Sequence, residues 1–188
     1  MSSTPFLRKR WTLEECSRLV KVGVLTEPVR YELIDGDITI KTKQTPAHSF
    51  VLIRTFTSLT AVLESESVRV GAGIGGVDPY SDPEPDLSVV RGTLRDYLER
   101  VPHPSREIAL VVEVADDELT QDLTVKAVLY ARAGVPDYWI VDVGGRRLIV
   151  HRQPGPNGYA ELVFYTENQT LAPLADSSGV VRVADLLP

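Results

Sequence analysis

Two acidic residues and one lysine are spaced so that they could hold a divalent cation and activate a water molecule. Glu113 lies in the apolar run Ile108–Val114, and Lys126 lies on the segment that follows it. Asp86 comes directly after Pro85, where another apolar stretch begins. Carboxylate oxygens are the ligands that Mg²⁺ prefers, and a bound divalent cation lowers the pKa of its water. The pattern therefore predicts metal-dependent cleavage of a phosphodiester, with Lys126 orienting the attacking water or stabilising the developing charge.

Each of these residues also has a plainer interpretation. An aspartate after a proline is common at a turn or at the start of a strand. Lys126 could be a solvated lysine that pairs with Asp122 four residues earlier. Glu113 is harder to explain in that way, because an unpaired carboxylate inside an apolar run is costly to bury. The context of Glu113 therefore favours a functional role over a structural salt bridge.

The elements around Glu113 should bring Lys126 close to it. The run Ile108–Val114 is continuously apolar, as a strand buried on both faces should be. The segment Asp122–Ala133 reads as a helix closed by Gly134. Asp122, Lys126 and Tyr130 are four residues apart and share one face of that helix. If this face looks at the end of the strand, Lys126 can reach Glu113.

The rest of the chain alternates between helix and strand signals. Thr12 and Glu15 form a capping box that opens a short helix, and Asp35-Gly36 is a hairpin turn. Helical spacing of Phe50, Ile53, Phe56, Leu59 and Leu63 predicts a helix over Ala47–Leu63, and Thr93–Arg100 reads as another helix. Further predicted strands are Val68–Val70, Leu87–Val90, Tyr138–Val143, Arg147–His151 and Tyr159–Tyr165. We therefore expect an α/β or α+β fold with a mixed sheet flanked by helices, as a single domain over residues 1–188.

Composition excludes several classes of protein. The single cysteine, Cys16, rules out an internal disulfide, and with three histidines it makes a structural zinc site improbable. No apolar run approaches the length of a membrane span, so we expect a soluble, cytoplasmic protein. The formal net charge of −6 argues mildly against a dedicated nucleic-acid binder, although a bound cation would offset part of it.

Longer motifs resemble a known family. They are YELIDGDI at Tyr31–Ile38, Pro46-Ala47-His48, PDLSVV at Pro85–Val90, and the block Leu110–Asp142. Together these motifs resemble the Uma2 family of restriction-endonuclease-like proteins, within the PD-(D/E)XK nuclease superfamily. The resemblance covers roughly residues 10 to 165 and is specific on the scale of its motifs. It implies a mixed sheet with flanking helices, an active site at the sheet edge, and Mg²⁺ or Mn²⁺ as cofactor.

The resemblance also implies roles for individual residues. Asp86 matches the aspartate of the PD motif, and Glu113 matches the acid of the (D/E)XK motif. The usual lysine, two residues after that acid, falls on Ala115, and in Uma2-like proteins a lysine on the next helix, here Lys126, replaces it. Glu32 matches the acid of the YELIDG motif and would be an extra carboxylate of the site. Where many relatives have serine, this chain has Ala115, and the acids Asp116, Asp117 and Glu118 that follow could bind a cation or repel DNA.

Several assignments stay open at this point. Glu32 could simply pair across its hairpin, and His48 could cap its helix or face DNA. Tyr130 is expected to pack against the site, and Tyr138 and Trp139 to be core or edge aromatics. The leading hypothesis is a DNA endonuclease that forms a homodimer, with the C-terminal hairpins as the expected contact. The alternative is a catalytically weak or inactive member of the fold that serves as a binding or assembly module, which the acidic composition favours.

Overall fold

The computed structural model of the chain describes residues 8–26, 29–41, 44–64, 67–75, 77–116 and 118–188. The chain forms two compact units, residues 1–42 with 78–83 and residues 43–77 with 84–188. The prediction of a single domain over residues 1–188 therefore stays a prediction. Among the described residues, no helix is both long and apolar enough to span a membrane.

The first unit contains one helix and one hairpin. Helix α1 (Leu13–Lys21) begins at the predicted capping box: Thr12 Oγ1 accepts from the Glu15 N–H, and the Glu15 carboxylate accepts from the Thr12 N–H. The predicted hairpin is also confirmed, with β1 (Tyr31–Ile34) paired antiparallel to β2 (Asp37–Ile40). Asp35 and Gly36 form its turn with positive φ angles of 51° and 89°.

Gly36 illustrates why that turn needs glycine. Positive φ at the second turn position favours glycine, because other residues bring Cβ too close to the backbone. A Cβ at position 36 would also come within 2.7 Å of Arg10 Cβ. The same unit is completed by residues 78–83, where the Asp82 N–H donates to the Leu33 carbonyl at 2.7 Å.

The second unit is built on a six-stranded mixed sheet. Its strand order is β3-β4-β5-β6-β7-β8, and only the β5–β6 pair is parallel among these neighbours. The strands are β3 (Val68–Val70), β4 (Leu87–Val90), β5 (Ile108–Ala115), β6 (Asp137–Asp142), β7 (Arg147–Gly155) and β8 (Gly158–Thr166). The predicted strands and the mixed sheet are therefore confirmed. The parallel β5–β6 pair requires a crossover, which the helical segment between these strands supplies.

Helices cover both faces of this sheet. Helix α2 (Pro46–Val62) packs on one face through a core that includes Val51, Leu59, Val112 and Trp139. The crossover segment packs on the other face through Ala127, Tyr130 and Ile140. It consists of α4 (Leu119–Gln121), a π-helical turn over Asp122–Lys126 and α5 (Ala127–Arg132), and it ends before Gly134, whose φ is +76°. This layered arrangement is the predicted fold.

Of the predicted helices, Ala47–Leu63 is confirmed as α2, whereas Thr93–Arg100 is corrected. The structure buries Val51, Thr55 and Leu59 of α2, whereas Phe50 and Ile53 are 47% and 64% exposed. Helix α2 is apolar on several sides, so spacing alone did not identify the buried face. The predicted helix Thr93–Arg100 is wrong in type and length, because only Leu94–Tyr97 is helical there and that turn is 3₁₀. Such a short segment before Pro102 gains little from helix propagation.

The remaining elements are short. Helix α3 (Pro104–Glu107) leads directly into β5, and the tail pairs β9 (Thr170–Leu171) with β10 (Val181–Arg182). A 3₁₀ turn over Val183–Asp185 follows β10. The tail places Leu171, Val181 and Val183 in the same core as α2.

Candidate active site

Glu113 and Lys126 form a buried ion pair. Glu113 projects from β5 and is 2% exposed, and Lys126 is 1% exposed. Lys126 Nζ donates to Glu113 Oε1 at 3.0 Å, and the Tyr130 hydroxyl donates to the same oxygen at 2.8 Å. Two donors four residues apart on one helical segment therefore hold one carboxylate oxygen of the strand. This contact matches the prediction that the helix face bearing Lys126 looks at Glu113.

Asp122 completes that helix face. Its Oδ1 lies 3.4 Å from Lys126 Nζ, which is the predicted i,i+4 ion pair. Burial raises the pKa of the Asp122 carboxyl to about 6, against a smaller opposing effect of the Lys126 charge. The charges of Asp86 and Glu118 raise the pKa of Asp122 further. Lys126 therefore lies between two carboxylates that are both withdrawn from water.

A π-turn sets the position of this lysine. The Ala127 N–H donates to the Asp122 carbonyl five residues earlier, which widens the helix by one residue over Asp122–Lys126. π-Turns inside α-helices occur frequently at functional sites. The Tyr138 hydroxyl, from β6, donates to the same Asp122 carbonyl at 3.2 Å. Burial raises the pKa of Tyr138 well above its ordinary value, so the hydroxyl keeps its proton and remains a donor.

Asp86 directly precedes β4, the strand that pairs with β5. Leu87 pairs with Val112 across β4 and β5, so the next position brings Asp86 opposite Glu113. Asp86 Oδ2 accepts from the Val114 N–H at 2.8 Å and lies 3.1 Å from His48 Nε2. The second unit thus gathers two carboxylates from adjacent strands with a lysine, a tyrosine and a histidine from its helices.

This donor set suits a hard divalent cation. All of its acidic ligands are oxygens, and three buried carboxylates, Asp86, Glu113 and Asp122, share the site with Lys126 and His48. Mg²⁺ is commonly held by one or two carboxylates together with several waters. Within the described ranges, no group of three or more histidine, cysteine or acidic residues is arranged as a ready-made metal centre. The oxygen chemistry of the side chains therefore suits a cation, and the roles of Asp86 and Glu113 as its ligands stay a prediction.

Six of the seven predicted site residues lie in the second unit. Their contacts bring together Asp86, Glu113, Lys126, His48, Asp122 and Tyr130. Glu32 lies in the first unit, where it is buried and its Oε1 is 3.9 Å from Lys41 Nζ. That ion pair resembles the plain pairing considered for Glu32, and its role in the site stays a prediction.

His48 and the acids after β5 have specific contacts. The N-cap of α2 is Thr45, whose side chain accepts from the His48 N–H, so the capping role considered for His48 is wrong. Asp116 Oδ2 accepts from the Thr45 hydroxyl at 2.5 Å. Glu118 precedes α4 as its N-cap residue, and Asp117 lies outside the described residues.

Sequence reasoning missed two residues of this site. Tyr138 was expected to be a core or edge aromatic, and it is fully buried, but its hydroxyl also supports the π-turn. Thr45 was not singled out, although a threonine before Pro46 is a recognisable start signal for a helix. The signal for Tyr138 was weaker, since nothing local in the sequence shows which backbone carbonyl its hydroxyl reaches.

Comparison with solved structures agrees with this fold. The chain superposes with a TM-score of 0.71 on the crystal structure of a putative nuclease belonging to DUF820 from Anabaena variabilis. The match covers 93% of this chain and 96% of the other, at 20% sequence identity. The chain therefore shares its fold, a mixed sheet flanked by helices, with that protein.

The family follows from the sequence itself. Residues 13–182 match the model of the Uma2 family, which is described as a putative restriction endonuclease, and the chain belongs to that family. This finding confirms the resemblance drawn from the motifs. No curated protein matches the chain.

Proposed function

We propose that this protein is a divalent-cation-dependent endonuclease that hydrolyses DNA phosphodiester bonds with an activated water. One observation carries the proposal: Asp86 before β4, Glu113 near the end of β5 and Lys126 on the following helical segment are all buried, and Lys126 contacts Glu113. Burying a charged cluster of this kind is costly, so such clusters are frequent at functional sites. Membership of the Uma2 family supports DNA as the substrate.

Each residue of the site would have a separate role in hydrolysis. Asp86 and Glu113 would hold Mg²⁺ or Mn²⁺, which when bound supplies a water of lowered pKa and offsets negative charge at the phosphorus. Lys126 would orient the nucleophilic water for in-line attack, from a position fixed by Glu113 and Asp122. Tyr130 would keep Glu113 Oε1 in place through its hydroxyl.

The acidic composition is compatible with this assignment. A net charge of −6 opposes DNA binding in general, because phosphate contacts favour basic surfaces. A divalent cation at the site would reverse the local field where the scissile phosphate must approach. Cleavage would then depend on the cation both for chemistry and for substrate approach.

The test combines cation binding with cleavage on the same samples. Thermal unfolding of the wild type and of Glu113→Gln is followed during titration with Mg²⁺ and with Mn²⁺, with Glu99→Gln as a control at an exposed acid of the β4–β5 connection. A ligand that binds only the folded state stabilises it by about 2.7 kcal/mol at a hundredfold excess over its dissociation constant. We expect stabilisation of the wild type and of Glu99→Gln, and its loss in Glu113→Gln. Plasmid nicking is then measured on each protein and on Lys126→Ala.

The outcomes separate the two function classes. Cation-dependent nicking that disappears in Glu113→Gln and Lys126→Ala supports the endonuclease. Full nicking by a folded Lys126→Ala protein would contradict the role of Lys126. If the wild type neither binds cations nor nicks DNA, the fold serves as a binding or assembly module. Glu32→Gln in the same assay tests the predicted contribution of Glu32.

We also propose that the protein acts as a homodimer. One active site cuts one strand, and a two-fold dimer would place two sites on a duplex. Strand β8 ends the six-stranded sheet as described, and its Leu162 and Phe164 are half-exposed. Light scattering of the wild type and of Phe164→Glu measures the mass in solution, and a monomeric wild type would contradict this part.

A further inference from the structure

The start of helix α2 is tied to the strand that carries Glu113. Thr45 caps the helix by accepting from the His48 N–H at 3.0 Å, and its hydroxyl donates to Asp116 Oδ2 at 2.5 Å. Asp116 directly follows β5. Pro46 fixes φ at the first helical position and lacks the N–H that would otherwise need a partner there. The backbone of His48 is therefore held relative to the end of β5.

The imidazole of His48 then contacts Asp86. Its side chain is 12% exposed, and Nε2 lies 3.1 Å from Asp86 Oδ2. An ionised carboxylate only accepts hydrogen bonds, so the tautomer that suits an ionised Asp86 carries its proton on Nε2. The same oxygen accepts from the Val114 N–H at 2.8 Å. Donors from a helix and from a strand thus converge on one oxygen and restrict rotation of the Asp86 carboxylate.

We propose that His48 is a positioning residue that orients the Asp86 carboxylate and thereby sets the affinity of the site for a divalent cation. This inference rests on the proposed function, because it requires Asp86 to be a cation ligand. Groups that hydrogen-bond to metal ligands commonly change metal affinity 10–100-fold when they are replaced. His48 differs from Lys126 in this respect: it acts on a ligand and does not contact the reacting atoms.

The second ring nitrogen argues against a purely structural histidine. His48 Nδ1 is buried and has no hydrogen-bond partner in the described part of the chain. Most buried polar atoms in folded proteins have a partner, and the exceptions often belong to functional groups. With the proton on Nε2, Nδ1 is an acceptor with no donor among the described residues. His151 Nδ1 is buried in the same way, so the orphaned Nδ1 supports the inference only together with the contact between His48 Nε2 and Asp86.

The test measures cation affinity in variants of the whole chain. His48→Leu removes the donor, and His48→Gln retains an N–H donor on a side chain of similar reach. His103→Leu is the matched control, because His103 is exposed on the loop that precedes α3. Half-saturating concentrations of Mg²⁺ and Mn²⁺ are determined by thermal shift, and nicking is followed as a function of cation concentration.

We expect His48→Leu to raise the half-saturating concentration 10–100-fold, with His48→Gln within a few-fold of the wild type and His103→Leu unchanged. Nicking by His48→Leu should keep rising over cation concentrations at which the wild type is already saturated. Equal half-saturation in folded His48→Leu and wild type would overturn the inference and leave the proposed function standing.

Other outcomes are also decisive. A wild type that shows no cation binding refutes the proposed function, and the inference falls with it. If His48→Leu does not fold, His48→Asn replaces it, because its shorter amide cannot reach Asp86 from the same backbone position. Equal cation affinities of His48→Asn and His48→Gln would then overturn the inference.

Discussion

Two buried carboxylates at opposite ends of the sheet have different surroundings. Glu113 lies near the end of β5, whereas Asp137 begins the parallel neighbour β6. Asp137 is fully buried and accepts from the Arg152 guanidinium, from Trp139 Nε1 and from the Leu174 N–H. One acid is matched there by one arginine. Among the described residues, the second unit therefore contains both an acid paired with one arginine and a lysine that contacts two acids.

The difference shows that burial of a charge does not by itself identify a functional site. Asp137 and Arg152 neutralise each other and join β6, β7 and the C-terminal tail. In the Glu113 cluster, Lys126 contacts the carboxylates of both Glu113 and Asp122, and burial raises the pKa of Asp122 to about 6. A perturbed pKa together with like charges is typical of sites that bind or transform a ligand. The second acid and the raised pKa of Asp122 therefore distinguish the Glu113 cluster from the Asp137–Arg152 pair, whereas burial does not.

Replacing each acid by its neutral amide should give the largest difference between the two regions, in stability and in nicking. Asp137→Asn leaves Arg152 partly buried beside a neutral amide, so the free energy of unfolding should fall by about 3–5 kcal/mol. Glu113→Gln should lower it less, because Lys126 keeps Asp122 as a partner. Nicking should fall by about 10²-fold or more in Glu113→Gln, which is the scale for losing one charge-stabilising group. Nicking per folded molecule should stay near the wild-type rate in Asp137→Asn.

Urea unfolding and plasmid nicking measure the two quantities. The comparison fails if folded Asp137→Asn loses cleavage as Glu113→Gln does. It also fails if Glu113→Gln is the less stable of the two variants, since the acid-rich cluster would then be the main structural anchor of the sheet.

The pH dependence of stability sharpens the same contrast. The pKa of Asp122 is about 6 in the folded protein, against an ordinary value of 3.8. Between these values the folded state keeps a proton that the unfolded chain releases, so this group lowers stability as pH rises and its full penalty applies above pH 6. Asp122→Asn should therefore gain stability relative to the wild type as pH rises through this window.

Asp176→Asn is a control for which the pH dependence of stability should have the opposite sign. Hydrogen bonds from the Ser178 side chain and backbone lower the pKa of Asp176, so its stabilising contribution is present above its ordinary pKa and is lost at lower pH. Asp176→Asn should lose stability relative to the wild type as pH rises. Thermal melts from about pH 2 to 7 cover both windows, because Asp176 titrates below its ordinary pKa of 3.8, and parallel curves for Asp122→Asn and the wild type would contradict the pKa of Asp122.

Strong local signals predicted much of the fold and the site. The capping box at Thr12, the Asp35-Gly36 turn and the apolar run of β5 each depend on neighbouring residues, and each is confirmed. The four-residue spacing of Asp122, Lys126 and Tyr130 also placed the three side chains correctly on one helix face. Local periodicity therefore predicted the contact between the helix and the strand at the centre of the site.

The features that sequence reasoning missed depend on tertiary packing. The buried face of α2 could not be chosen, because an apolar helix fits several stripes and the sheet decides among them. The π-turn at Asp122–Lys126 has no local sequence signature of the kind that a proline or a cap provides. The contact of His48 with Asp86 joins residues 38 positions apart, so only the packing of α2 against the sheet creates it.

The smallest expected effect tests whether the π-turn matters for activity. Tyr138→Phe removes the donor to the Asp122 carbonyl, and Tyr159→Phe removes a similar donor to the Val135 carbonyl at 2.9 Å, outside the turn. Each should lower the free energy of unfolding by about 1 kcal/mol. Only Tyr138→Phe should slow nicking, by about tenfold, since an ångström of misplacement can cost about 10²-fold. Equal nicking by the two variants would mean that Lys126 is positioned by its ion pairs alone.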